Sequence, residues 1–157
     1  MPMPMNTIRL ALGRAASHPP DTGVGIWVDG ESLIDRFRRL EAPWWAEVGS
    51  PQPGEQYVWV PARIALLPSR HLLGEPAVSW CGEYSPVVVC NCGEYACRSY
   101  AVKIEVSSDR VGWTAWAEFP PEEARLREPL GPLSFDRAQY EAELTRVASE
   151  YRSVSPG

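Results

Sequence analysis

Apolar and polar residues alternate most regularly between residues 98 and 119. Tyr100, Val102, Ile104 and Val106 alternate with Ser99, Ala101, Lys103 and Glu105, the period-2 pattern of a half-buried strand whose even-numbered side chains face the core. Pro86 to Cys90 and Val111 to Phe119 read as flanking strands, so residues 77 to 119 predict an antiparallel β-meander connected by 91–97 and 107–110. Upstream, Thr7 to Leu12 and Val24 to Val28 read as strands, the second ending in the turn pair Asp29-Gly30. Ser17 to Gly23 reads as a Pro-rich surface loop carrying His18. Tyr57 to Val60 and Arg63 to Leu67 are short strands divided by Pro61, and His71-Leu72-Leu73-Gly74 is a turn.

Two segments carry helical periodicity. Leu33, Phe37 and Leu40 fall at i, i+4 and i+7, with Asp29 or Gly30 to cap the start and Pro43 to end the helix by restricting Ala42. Near the C-terminus Asp136 is placed as N-cap, Gln139 completes a capping box, and Phe135 with Tyr140 forms a hydrophobic staple. Tyr140, Leu144, Val147 and Tyr151 then make one apolar stripe, which needs the sheet to bury it. The expected fold class is therefore α+β: an antiparallel β-meander sheet, one short helix in the N-terminal half, and a C-terminal helix packed on the sheet.

Length fits this as a single domain over residues 1–157, with the last few residues a frayed tail. A chain of this size buries about two-thirds of its unfolded surface without metal or disulfide. The apolar share is 45% and the charged share 22%, which is ordinary globular composition. The longest apolar runs are too short to cross a bilayer, and the N-terminus lacks the early cationic residues of a signal peptide. The expected location is the cytoplasm, where thiols stay reduced.

The net charge of −5 is unevenly placed. Residues 1 to 73 are balanced, and the acidic excess falls wholly after residue 73. Such a surface disfavours nucleic acid, which needs a basic stripe to release counterions, and would suit a basic protein partner. Of the 15 basic residues only Lys103 is a lysine, a bias of the kind a GC-rich genome imposes rather than a phosphate site.

The chemically distinctive feature is the cysteine spacing Cys81, Cys90, Cys92, Cys97, or C-x8-C-x-C-x4-C. Four thiols in a reduced chain suggest zinc before disulfides, although structural zinc sites more often use paired C-x2–4-C knuckles. If Cys92 faces Cys97 across its loop, Cys90 pairs with Ser99 and Cys90, Cys92 and Cys97 share one face. Trp116 then lies beside Ala101, near that face. Cys81 would sit roughly 13 Å away, at about 3.3 Å per strand residue, which makes it the poorest ligand of the four. Three readings stay open: zinc on Cys90, Cys92 and Cys97, reduced structural cysteines, or a reactive thiol, for which neither His18 nor His71 is near in sequence as a base.

Other motifs carry less. Asp21-Thr22-Gly23 reads as a turn rather than as a protease triplet, and Gly23-Val24-Gly25 leads into a strand, where no helix N-terminus is offered to a phosphate. Most of the 7 tryptophans belong in the core. Trp44-Trp45, beside Pro43, is the pair placed to act as surface anchors.

The second half of the chain resembles a family of small uncharacterised bacterial proteins. The residues that carry the resemblance are Cys90-Asn91-Cys92-Gly93-Glu94-Tyr95-Ala96-Cys97, Val111-Gly112-Trp113, and Leu130-Gly131-Pro132-Leu133-Ser134-Phe135-Asp136-Arg137-Ala138-Gln139-Tyr140-Glu141. They match a C-x-CGE-x-x-C, V-x-W and LGP-x-x-FD-x-x-QYE pattern. Arg98 stands where the pattern has an aromatic, which weakens shielding of the thiols. The resemblance implies a fold unit and no activity.

These features favour a small partner-binding or regulatory domain, of the immunity or inhibitor kind, over an enzyme. Trp44, Trp45, Glu122 and Glu123 are its candidate contacts, and the expected partner is a protein with a basic surface. The alternative is a zinc- or thiolate-dependent enzyme using Cys90, Cys92 and Cys97.

Overall fold

The computed structural model describes residues 5–17, 20–49, 57–90, 98–126 and 130–154. It is an α+β fold built on an antiparallel sheet. The strands are β1 (Ile8–Ser17), β2 (Pro20–Val28), β3 (Glu31–Ser32), β4 (Tyr57–Pro61), β5 (Ser85–Cys90), β6 (Ser99–Val106), β7 (Arg110–Phe119) and β8 (Leu133–Asp136). The helices are α1 (Leu33–Glu47), α2 (Ala62–Ala65) and α3 (Arg137–Val154). The sheet runs β1-β2-β4-β5-β6-β7-β8, with β3 on β2. A single parallel bridge, Asn6 to Phe135, brings the two ends of this order together, so the sheet curves back on itself. None of the described helices is long and apolar enough to cross a membrane.

The meander is found where alternation places it, with Ser85–Cys90, Ser99–Val106 and Arg110–Phe119 paired antiparallel. Tyr100, Val102 and Ile104 are buried, while Lys103 and Glu105 on the other face reach solvent. The alternation fails at Ser99 and Ala101, which are also buried. At Ser99 the turn that starts with Cys81 covers the outer face, bringing the Cys81 sulfur 3.9 Å from the Ser99 hydroxyl.

Two register shifts correct the expected pairings. Val89, not Cys90, lies opposite Ser99, with a further one-residue irregularity between Pro86 and Val88, and the Cys90 N–H instead donates to the Arg98 carbonyl at 2.9 Å. A second, between Lys103 and Ile104, sets Trp116 opposite Val102 rather than Ala101, while Trp113 stays opposite Ile104. One extra residue in a strand moves every later side chain to the other face, and neither shift has a glycine to announce it.

The first half departs further from expectation. Of the residues read as a Pro-rich loop, the described ones, Ser17 and Pro20 to Gly23, belong to a long hairpin, since β1 and β2 pair as far as Arg14 with Thr22 and Ser17 with Pro20. Proline is tolerated as the first residue of a strand, and ladder hydrogen bonds outweigh local turn propensity. Asp21-Thr22-Gly23 therefore lies in strand, not in a turn. Asp29 and Gly30 do form a turn, both with positive φ, but it leads to β3, and Ser32 caps α1 by accepting the Asp35 N–H at 3.1 Å. Pro43 does not stop α1, which continues to Glu47. The proline withholds one N–H from the turn before it, and the contacts of Trp44 and Trp45 hold the last turn in place. Residues 62–65 form α2 in place of the expected strand. Ala62 and Ala65 are buried with no bulk to separate the turn from the core, and a short apolar run fits either element.

α3 begins as its signals indicate. Asp136 accepts the Gln139 N–H at 3.0 Å, and Phe135 meets Tyr140 at 5.3 Å between ring centroids. Gln139 does not close the capping box: its side chain reaches β1, donating to the Ile8 carbonyl at 2.7 Å and accepting the Ile8 N–H at 3.2 Å. An edge strand with unpaired backbone groups competes successfully for it. Tyr140, Leu144 and Val147 are fully buried.

Trp113 joins the layers. Its indole N–H donates to Tyr140 at 3.1 Å, and Tyr140 donates onward to the Leu72 carbonyl at 2.6 Å. Trp116 lies edge-on to it at 5.5 Å and edge-on to Phe37 of α1 at 5.6 Å. Both long helices thus meet the sheet through neighbouring tryptophans of β7.

Candidate functional site

The buried face of α1 carries Leu33, Phe37 and Glu41, spaced four residues apart, and Glu41 is 0% exposed. A carboxylate in that position is tolerable only if its oxygens are satisfied. Tyr57 at the start of β4 donates to Oε2 at 2.5 Å, and Tyr100 of β6 donates to the same oxygen. Oε1 accepts the Trp45 indole N–H at 2.8 Å and lies 3.4 Å from Nη1 of Arg125. Phe37 stacks on Tyr100 at 3.8 Å, one turn before Glu41, fixing the helix over this strand.

A second carboxylate completes the cluster. Arg98, immediately before β6, donates through Nε to the Tyr57 oxygen at 2.9 Å and through Nη2 to Glu118 of β7 at 2.6 Å. Nη2 also lies 3.9 Å from Glu41. Glu118 in turn accepts the backbone N–H groups of Arg125 at 2.7 Å and Leu126 at 3.1 Å. Two arginines thus face two glutamates across α1, β4, β6, β7 and the connection after β7.

The phenols are held as donors. Burial, with the Glu41 charge beside it, pushes Tyr57 up to about 12. Burial raises Tyr100 still further, helped by Tyr57 and Glu41. Because each Glu41 oxygen already accepts from two groups, the carboxylate has little capacity left to act as a general base.

Above this cluster lie the two tryptophans singled out from sequence. Trp44 and Trp45 are half-buried and meet edge-on at 5.0 Å and 88°. The Arg125 guanidinium lies 4.6 Å from the Trp44 ring and 4.8 Å from the Trp45 ring. Ala42, Pro43, Ala46 and Val48 around them are exposed. Glu122 is exposed on the single 3-10 turn Pro121–Glu123, three residues before Arg125. The Glu123 side chain lies outside the described residues.

The cysteines are divided by the sheet. Cys90 is buried and pairs with Tyr57 on one side and Arg98 on the other, so its side chain shares their face. Cys81 lies against Ser99, which belongs to the opposite face. Burial pushes the Cys81 thiol up to about 11, with the Ser99 contact pulling weakly the other way. The structure therefore does not bring Cys81 and Cys90 together. Cys92 and Cys97 lie outside the described residues, among which no group of three or more His, Cys, Asp or Glu is placed to hold a metal. His18 is likewise outside them. His71 is fully buried, with Nε2 donating to the Pro86 carbonyl at 2.8 Å and Nδ1 accepting the Ala77 N–H at 3.0 Å. Its burial lowers its pKa. Both ring nitrogens are committed to structure.

Sequence reasoning missed Glu41, Tyr57, Tyr100, Glu118 and Arg125 as a group. One signal was present: a glutamate four residues after Phe37, on the buried side of α1. The class defined by fold and site is an α+β domain with a buried charge cluster beneath a surface tryptophan pair. Compared with protein-family models, curated proteins and solved structures, the chain gives no match.

Proposed function

We propose that this protein acts by binding another protein through the end of α1 and the connection after β7, and not by turnover. The observation that carries the reading is the Trp44–Trp45 pair, held in one geometry by Arg125 and Glu41 and surrounded by exposed apolar residues. Aromatic anchors dominate binding hot spots, and an anchor already fixed in the free protein has less conformational entropy to lose on binding. Glu122, exposed three residues before Arg125, and the acidic excess after residue 73 favour a basic partner by steering encounter. Regulation by occlusion, as an inhibitor or immunity protein would act, suits such a surface. Membership in the bacterial family sharing the C-x-CGE-x-x-C pattern is part of the proposal, as is a cytoplasmic location.

The test is co-purification from the native host. A specific partner should be retained by the wild type, lost with Trp44→Ala, and weakened by charge reversal at Glu122 and Glu123. Recovery of no specific partner, together with a thiol-dependent turnover that disappears in Cys92→Ser, would overturn it.

One observation favours a second reading, in which Cys90, Cys92 and Cys97 hold zinc or supply a thiolate: Cys90 shares a face with Tyr57 and Arg98 at the cluster. Thiolate-rich sets select borderline ions such as zinc. Less than about a tenth of an equivalent of zinc in protein purified without chelator would remove the metal version.

A further inference from the structure

Arg125 is held by two separate sets of contacts. Its backbone N–H, with that of Leu126, is tied to Glu118. Its guanidinium, in contrast, lies against the rings of Trp44 and Trp45 and reaches Glu41 at 3.4 Å. The side chain can therefore leave without releasing the segment that carries it, and it is 18% exposed to solvent. Two indole faces above a carboxylate recognise a desolvated organic cation. A planar guanidinium suits them better than an ammonium, because it stacks as well as carrying charge.

We propose that Trp44, Trp45 and Glu41 form a receptor for an arginine side chain of the partner, and that Arg125 is its internal occupant, displaced when the partner binds. This rests on the partner-binding reading and supplies the chemistry of its central contact. The burial of Glu41 makes the exchange selective. Removing Arg125 leaves the carboxylate with Arg98 as its nearest described cation, 3.9 Å away, so a neutral side chain cannot replace what departs. An incoming arginine restores the charge balance and both aromatic contacts. The basic partner inferred from net charge thereby gains a residue-level requirement.

The experiment uses Arg125→Ala, which vacates the receptor, titrated with N-acetyl-arginine amide and read by tryptophan fluorescence and by melting temperature. Arg125→Ala should bind this probe at least about tenfold more tightly than the wild type, whose apparent affinity is scaled down by the fraction of molecules with Arg125 displaced. N-acetyl-lysine amide should bind about fivefold or more weakly than the arginine probe, and adding Trp44→Ala should abolish the response. Equal binding by Arg125→Ala and wild type, or no preference for arginine over lysine, overturns the proposal. If Arg125→Ala does not fold alone, refolding in the presence of the arginine probe and not the lysine probe supports it, and recovery with neither overturns it. The two levels separate cleanly. A partner lost on Trp44→Ala alongside an indifferent Arg125→Ala removes the exchange only, whereas arginine binding without any captured partner keeps the receptor and removes the partner-binding reading.

Discussion

Replacing Glu41 by alanine tests whether the buried cluster is as tightly coupled as its geometry implies. The substitution removes the acceptor shared by Tyr57 and Tyr100, the acceptor of the Trp45 indole, and the counter-charge of Arg125. Arg98 keeps Glu118 at 2.6 Å, so one of the two cations stays compensated. Breaking a buried ion pair by removing one partner costs about 3–5 kcal/mol. At about 2–4 °C per kcal/mol for a domain of this size, the melting temperature should fall by about 6–20 °C. Glu41→Gln is the internal control. The amide keeps one oxygen for Trp45 and Arg125 and sets an NH2 against two phenols that can rotate to accept from it, so the loss should be smaller, about 1.5–3 kcal/mol. Thermal unfolding followed by circular dichroism reads both, with tryptophan fluorescence reporting release of the Trp45 indole. A fall of less than about 2 °C for the alanine variant, or a glutamine variant worse than alanine, would refute the coupling.

Other consequences follow from single sites. Leu144 is 1% exposed, and Leu144→Ala should cost about 2–5 kcal/mol through lost transfer energy plus a cavity, read as the shift in urea midpoint; an unchanged midpoint would mean α3 is not docked. His71 is buried neutral with a lowered pKa, so below its ordinary pKa of about 6.5 the unfolded chain takes up a proton that the folded one resists. Its contribution is therefore complete above that pH and is lost as pH falls, and a urea midpoint that does not drop between about pH 7.5 and 5.5 would contradict this. The Cys81 thiol, pushed up to about 11 and buried, should resist alkylation in the folded protein at neutral pH and react once the chain is unfolded, as peptide mass mapping would show.

The parts legible in the sequence are those where one strong pattern acts alone. Alternation from Tyr100 to Val106 fixes the central strand, and the Asp136 cap with the stripe from Tyr140 to Val147 fixes α3. What failed were places where tertiary contacts overrule a local signal. Pro43 reads as a helix stop, yet the Trp45 bond to Glu41 and the contact with Arg125 carry α1 past it. Gln139 reads as half of a capping box, yet the Ile8 backbone claims its side chain. Glu41 was passed over because Leu40 beside it completes an equally good apolar stripe, and its partners come from strands 16 and 59 residues away. No spacing rule joins such residues before the fold does.

The cysteines show how a one-residue offset in register decides chemistry. In the register expected from the sequence Cys90 lies opposite Ser99, on the outer face. The observed pairing is offset by one residue, Val89 with Ser99, and turns Cys90 to the inner face, in line with Tyr57 and Arg98. A metal bound by Cys90 must then draw its other thiolates from Cys92 and Cys97 alone, because Cys81 stays on the far side with Ser99. Arg98 needs no shift to face inward: it lies two residues before Tyr100, on the same face, where it bridges Tyr57 and Glu118 and helps balance Glu41.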